Sequence, residues 1–154
     1  MCYLLLLSTT SNQDLTAHNT ELVRFSAELP AIADASNLKY PRKWYIGSRS
    51  GCSCSFRHLY SVELGFGEPV DWYEEEEKDI EATLQVISII RALVSNNESV
   101  DCIDAWEHHD LLPRATNKLA VDLGAVRDRE FRFFENHHFT FTSHGNVPLP
   151  EASA

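Results

Sequence analysis

The first unbroken apolar run is Tyr3-Leu4-Leu5-Leu6-Leu7, closed by the polar Ser8-Thr9-Thr10. So short a run predicts a strand covered on both faces, and therefore an inner strand of a sheet. From Asp14 onward Leu15, Leu22, Phe25 and Leu29 fall at helical spacing, with His18 between them and Pro30 closing the stretch. That pattern predicts a helix with Asp14 at its N-cap. Lys43-Trp44-Tyr45-Ile46-Gly47 has the aromatic and β-branched content of a strand, and the Ser48–Ser55 stretch has the composition of a loop.

Phe56, His58, Tyr60, Val62 and Leu64 alternate with Arg57, Ser61 and Glu63, which predicts a strand with one buried face, broken by Gly65-Phe66-Gly67-Glu68-Pro69. A broad stripe of Ile80, Leu84, Ile87 and Val94, with Thr83, Val86, Ile90 and Leu93 beside it, predicts a helix over 72–95. Asp71 and Glu74 have capping-box spacing at its start. Val100–Trp106 reads as a fourth strand, with Cys102, Asp104 and Trp106 on one face and Asp101, Ile103 and Ala105 on the other. Leu119, Val121 and Leu123 suggest a fifth. Glu130–Thr142 reads as a long strand, or as a tight hairpin about Glu135-Asn136-His137-His138, carrying Phe131, Phe133, Phe139 and Phe141 on one parity and Phe134 on the other.

Strand, helix, strand, strand, helix, strand is the split βαβ order. The expected fold class is therefore α+β: a ferredoxin-like mixed sheet with two helices on one face and extra C-terminal strands. Residues 1–146 form one domain, and 147–154, with two prolines and small residues, are expected to be a mobile tail. At 154 residues with 44% hydrophobic content, a hydrophobic core suffices for folding without disulfide or metal.

Charge adds a second layer. Thirteen Lys and Arg against 23 Asp and Glu leave a formal charge of −10, which disfavours general nucleic-acid binding. Yet Ala35–Val62 holds no acidic residue and carries Lys39, Arg42, Lys43, Arg49 and Arg57. The run Asp71, Glu74, Glu75, Glu76, Glu77, Asp79 and Glu81 is the acidic counterpart, favoured near a helix start by the macrodipole and able to steer a basic partner. No apolar run reaches the length of a membrane span, and the N-terminal run lacks the basic flank of a signal peptide, so a cytoplasmic protein is expected. Cys2, Cys52, Cys54 and Cys102 are then expected to be free thiols.

Candidate chemistry gathers in the basic segment. Arg49, Ser50, Gly51, Cys52, Ser53, Cys54 and Arg57, with Trp44 nearby, combine hydroxyls, a glycine-freed backbone and guanidinium groups, a set suited to a phosphate or carboxylate. The expectation is a small binding domain recognising an anionic small molecule or protein partner through this loop. The same positive charge would favour a thiolate at Cys52 or Cys54. Cys52, Cys54 and His58, a C-x-C-x3-H run, are alternatively ligands of a zinc ion, completed by His108, His109, His137 or His138. Thiol-dependent catalysis, including Cys2 as an N-terminal nucleophile, is a further alternative. An acidic inhibitor-like module for a basic partner is another, and an exposed phenylalanine stripe would serve a homodimer or ligand shelf. The spacing from either loop cysteine to Arg57 does not match the cysteine-phosphatase loop, and Gly65-Phe66-Gly67 lacks the third glycine of a nucleotide fingerprint.

Overall fold

The structure is a computed structural model that describes residues 2–59 and 74–143. Its main layer is a six-stranded mixed sheet built from β1 (Tyr3–Thr9), β2 (Val23–Ser26), β3 (Arg42–Ser48), β5 (Val100–Trp106), β6 (Asn117–Asp122) and β8 (His137–Thr142). The order is β2-β3-β1-β5-β8-β6, with only the β6/β8 pair parallel. A second, two-stranded parallel sheet joins β4 (His58–Leu59) to β7 (Phe133–Phe134). No helix among the described residues is long and apolar enough to cross a membrane.

The inner position expected for Tyr3–Leu7 is observed. All seven residues of β1 are buried, Leu5 against Ile46 on one side and Asp104 on the other. Alternate residues then feed two cores. Leu5 and Leu7 join Phe25, Trp44, Ile46, Cys102, Phe139 and Phe141 beneath α1 (Glu77–Ser95). Leu4 and Leu6 join Ile32, Leu38, Ile103, Ala105 and Ala115 on the opposite face, covered by a 3-10 turn at Ala33–Asn37. Each fully buried Leu, Ile or Phe side chain contributes about 1.5–3 kcal/mol.

The helix α1 buries Thr83, Val86, Ile87, Ile90 and Leu93 of the predicted stripe together with Ala82, while Ile80, Leu84 and Val94 are half-buried at its margin. Its first residue is Glu77, with Glu76 at the N-cap and no side-chain cap bond, so it begins later than expected. Asp71 of the expected capping box lies outside the described residues. At the C-terminus Asn97 takes φ 64°, while the amides of Asn97 and Glu98 donate to the Val94 and Leu93 carbonyls, a left-handed stop.

The predicted helix over 14–29 is replaced by a one-turn 3-10 helix, Leu15–His18, and by strand β2. Local side chains decide this. Asp14 does cap the Thr16 amide, but Asn19 Oδ1 accepts the Phe25 amide at 2.7 Å and Thr20 Oγ1 accepts those of Leu22 and Val23. Backbone donors that a helix would satisfy are thus taken by a turn, and Val23, Arg24 and Phe25 then alternate buried, exposed, buried. The described residues hold one α-helix, so the two-helix ferredoxin-like expectation reduces to its class, α+β.

At the C-terminal side, chain reversal at Glu135-Asn136 (φ 58° at Asn136) brings Phe133 and Phe134 within 5.7 and 6.3 Å of the Phe139 ring, as a hairpin would. The flanking strands do not pair with each other. β7 pairs with β4, and β8 lies between β5 and β6. The five phenylalanines are core, leaving no exposed aromatic stripe. Of the strand expected over 56–64, His58–Leu59 is observed; its remainder after Leu59, the Gly65–Pro69 break and the 147–154 tail lie outside the described residues.

Candidate functional site

Strand β3 pairs with β1 only from Leu5 onward, which leaves the backbone of the chain start to be satisfied by the loop that follows β3. That loop turns at Gly51, whose φ of 88° suits glycine, with the Gly51 amide on the Ser48 carbonyl and the Ser48 amide on the Cys52 carbonyl. Ser53, fully buried, then ties the loop to the sheet. Its amide donates to the Tyr3 carbonyl, its hydroxyl donates to the Ile46 carbonyl at 2.6 Å, and it accepts the Leu5 amide at 2.8 Å. The Tyr3 amide donates in turn to Cys54 Sγ at 3.3 Å. This stitching brings Cys2 beside Cys52 and Cys54.

The three sulfurs lie within 4.8 Å of one another, and none is in a disulfide. The thiols differ sharply. Partial burial opposes ionisation of Cys52, but hydrogen bonds from the Cys54 thiol, the Ser50 hydroxyl, the Cys54 amide and Cys2 outweigh it and lower its pKa to about 7. Burial and the neighbouring Cys52 push Cys54 up to about 12. Burial also raises Tyr45, whose phenol donates to the Gly51 carbonyl and lies near all three cysteines. Burial in β5, with Asp101 and Asp104 nearby, also raises the Cys102 thiol well above its ordinary value. Iodoacetamide at neutral pH should therefore alkylate Cys52 at least about tenfold faster than Cys54 or Cys102, read by peptide mass spectrometry. Equal rates would refute the thiolate assignment.

The remaining predicted site residues have other settings. His58 does not join the thiols. Its Nδ1 meets Asp104 Oδ2 at 2.9 Å, its Nε2 meets the Ser53 carbonyl at 2.8 Å, and its ring stacks on Tyr3 at 4.0 Å. Burial would lower the His58 pKa, but the Asp104 carboxylate prevails and raises it. Among the other histidines, Nε2 of His108 is on Asp34 and that of His138 on Asp101, while Nδ1 of His137 meets the Glu135 carbonyl. Trp44 packs in the core, edge-on to Phe25. Arg49 bonds Glu76 at 2.6 Å and Asp79 at 3.2 Å. Arg57 is buried and grips Glu75 with two bonds, at 2.9 and 2.6 Å, and Arg132 approaches the same carboxylate. Ser50 Oγ lies 3.0 Å from Ser48 Oγ and 3.4 Å from Ser55 Oγ.

Three members of the acidic run, Glu75, Glu76 and Asp79, are thus internal counter-charges of Arg57 and Arg49. Cys2 is the ligand candidate that spacing along the chain does not associate with Cys52 and Cys54. The available signal was topological: a loop leaving the strand next to β1 ends beside the residues preceding β1. Asp104 and Glu75 had no such signal.

Fold and site together define an α+β domain with a three-thiol cluster at one end of its sheet. Comparisons with protein-family models, curated proteins and solved structures found no match, so the chemistry rests on this geometry.

Proposed function

We propose that the protein is a metal-binding domain in which the thiolates of Cys2, Cys52 and Cys54 hold a soft cation, Zn(II) or Cu(I). The carrying observation is the convergence of three sulfurs, from two segments distant in sequence, within 4.8 Å. Around a zinc ion with bonds of about 2.3 Å, tetrahedral thiolates sit roughly 3.8 Å apart, so a contraction of about 1 Å at most completes the site. Thiolate is the ligand that selects Cu(I) and Zn over hard cations. Three protein ligands suffice for a trigonal Cu(I) site and leave zinc a fourth position for water or substrate. The amide and hydroxyl hydrogen bonds to Cys54 and Cys52 are of the kind that orient and stabilise ligating thiolates. The anion-recognition reading of the same loop would require Glu75, Glu76 and Asp79 to give up Arg57 and Arg49.

The test is metal content after incubation of reduced protein with Zn(II), or with Cu(I) under anaerobic conditions, followed by gel filtration. One equivalent should be retained by the wild type and by Cys102→Ala, and lost in Cys2→Ser, Cys52→Ser and Cys54→Ser. Retention of either ion shows which cation the site takes. Absence of both, retention by the three serine variants, or loss of two thiols to a disulfide without metal would overturn the proposal.

A further inference from the structure

A second polar cluster lies on the face of the sheet that carries Leu4, Leu6 and Ile103, at the far end of β1, about 20 Å from Cys2 by the rise of a strand. Its centre is Asp101, fully buried, whose oxygens accept the Ser8 hydroxyl, the Lys39 amide at 3.1 Å and His138 Nε2 at 2.6 Å. The Tyr40 amide donates to Ser8 Oγ at 3.0 Å and completes the network. These bonds use the carboxylate internally and fix the neighbouring residues. Lys39 is anchored by its own amide, and His138 by its ring.

Beside the network is a cavity of about 310 Å³ lined by Asn37, Lys39, Ala115, Thr116, Lys118 and His138. Lys118 stands next to His138 in the parallel β6/β8 register, on the same face. Among the described residues neither lysine ammonium pairs with a carboxylate; that of Lys39 reaches only Thr140 Oγ1, at 3.4 Å. His138 is 6% exposed, and with Nε2 held by Asp101 its Nδ1 has no partner among the described residues. A cavity near the small end of the range for ligand sites, with two ammonium groups that have no carboxylate partner among the described residues, the Asn37 amide and the Thr116 hydroxyl, has the donors a small oxyanion requires, and the ring of His138, fixed by Asp101, forms its wall.

We propose that this cavity binds a small oxyanion, a phosphate or a carboxylate, between Lys39 and Lys118 against the Asp101-held ring of His138. The site is independent of the thiol cluster. Its charge is contributed by Lys39 of the basic segment and Lys118, not by the two arginines of the cysteine loop.

The experiment follows the imidazole resonances of His138 in ¹⁵N-labelled protein during titration with inorganic phosphate and, separately, malonate, at constant ionic strength set with chloride. A saturable shift with either ion identifies the ligand chemistry. The exposed-residue double variant Lys39→Gln/Lys118→Gln should weaken binding at least about a hundredfold, tenfold for each charge-assisted contact. Lys78→Gln, a single charge removed from exposed α1 surface, should leave it within about twofold. Absence of a saturable shift with both anions, or equal binding by the double variant, would overturn the site. A Cys2→Ser/Cys52→Ser/Cys54→Ser variant should bind the anion as the wild type does, so failure of the metal proposal leaves this one standing.

Discussion

Glu75→Gln should destabilise the protein by about 3–5 kcal/mol, the loss typical when one partner of a buried ion pair is removed. The Glu75 side chain is 8% exposed, and the two guanidinium groups it joins, those of Arg57 and Arg132, are 4% and 2% exposed. Glutamine keeps the shape and a carbonyl oxygen but removes the negative charge that both buried guanidinium groups share. Chemical denaturation followed by tryptophan fluorescence would measure it; a loss below about 1 kcal/mol would show that solvent reaches the cluster. The same triad has an acid signature. Although burial opposes its ionisation, the bonds from Arg57 and Arg132 hold the Glu75 pKa below the ordinary value. A depressed folded-state pKa means that its contribution is complete above the ordinary glutamate range and fades as the pH falls through the folded value. Wild type and Glu75→Gln should therefore converge in stability in acid.

Zinc or Cu(I), at a free concentration a thousand times its Kd, should stabilise the folded protein by about 4 kcal/mol if the unfolded chain binds it negligibly. For a chain of this size that corresponds to a rise in Tm of roughly 10 °C. Cys54→Ser should abolish the rise while leaving the metal-free Tm within a few degrees, because serine keeps an acceptor for the Tyr3 amide. Binding displaces thiol protons, so affinity must decline as the pH is lowered. Below about pH 7, where Cys52 becomes protonated, each unit should weaken binding by at least about tenfold. Competition against a chromophoric chelator between pH 6 and 8 would measure the slope. A pH-independent affinity would exclude thiolate ligation.

Patterns read along one segment carried the elements whose environment is uniform. The continuous run Tyr3–Leu7 predicted a central strand because only a strand covered on both faces needs apolar residues at every position. The stripe from Ile80 to Val94 predicted α1 because its 3.6-residue period leaves one face to bury. The alternation in Val100–Trp106 placed Cys102 and Asp104 opposite Asp101 and Ile103, although it did not reveal that both aspartates are buried. At Asp14–Leu29 the period misled, since Asn19 and Thr20 divert backbone donors into a turn that hydrophobic spacing does not register.

The sequence by itself therefore determined the α+β class, the inner strand and the main helix. Tertiary structure alone decided which side chains meet. Cys2 joins Cys52 and Cys54 because β1 lies next to β3, and His58 leaves them because Asp104, 46 residues away, takes its ring. Arg49 and Arg57 are satisfied by the acidic run before α1. Lys39 and Lys118 flank His138 because β8 inserts between β5 and β6. Hydrophobic periodicity reports how each segment meets the core, whereas ligation and charge pairing depend on distances of a few ångströms between residues that only strand order brings together.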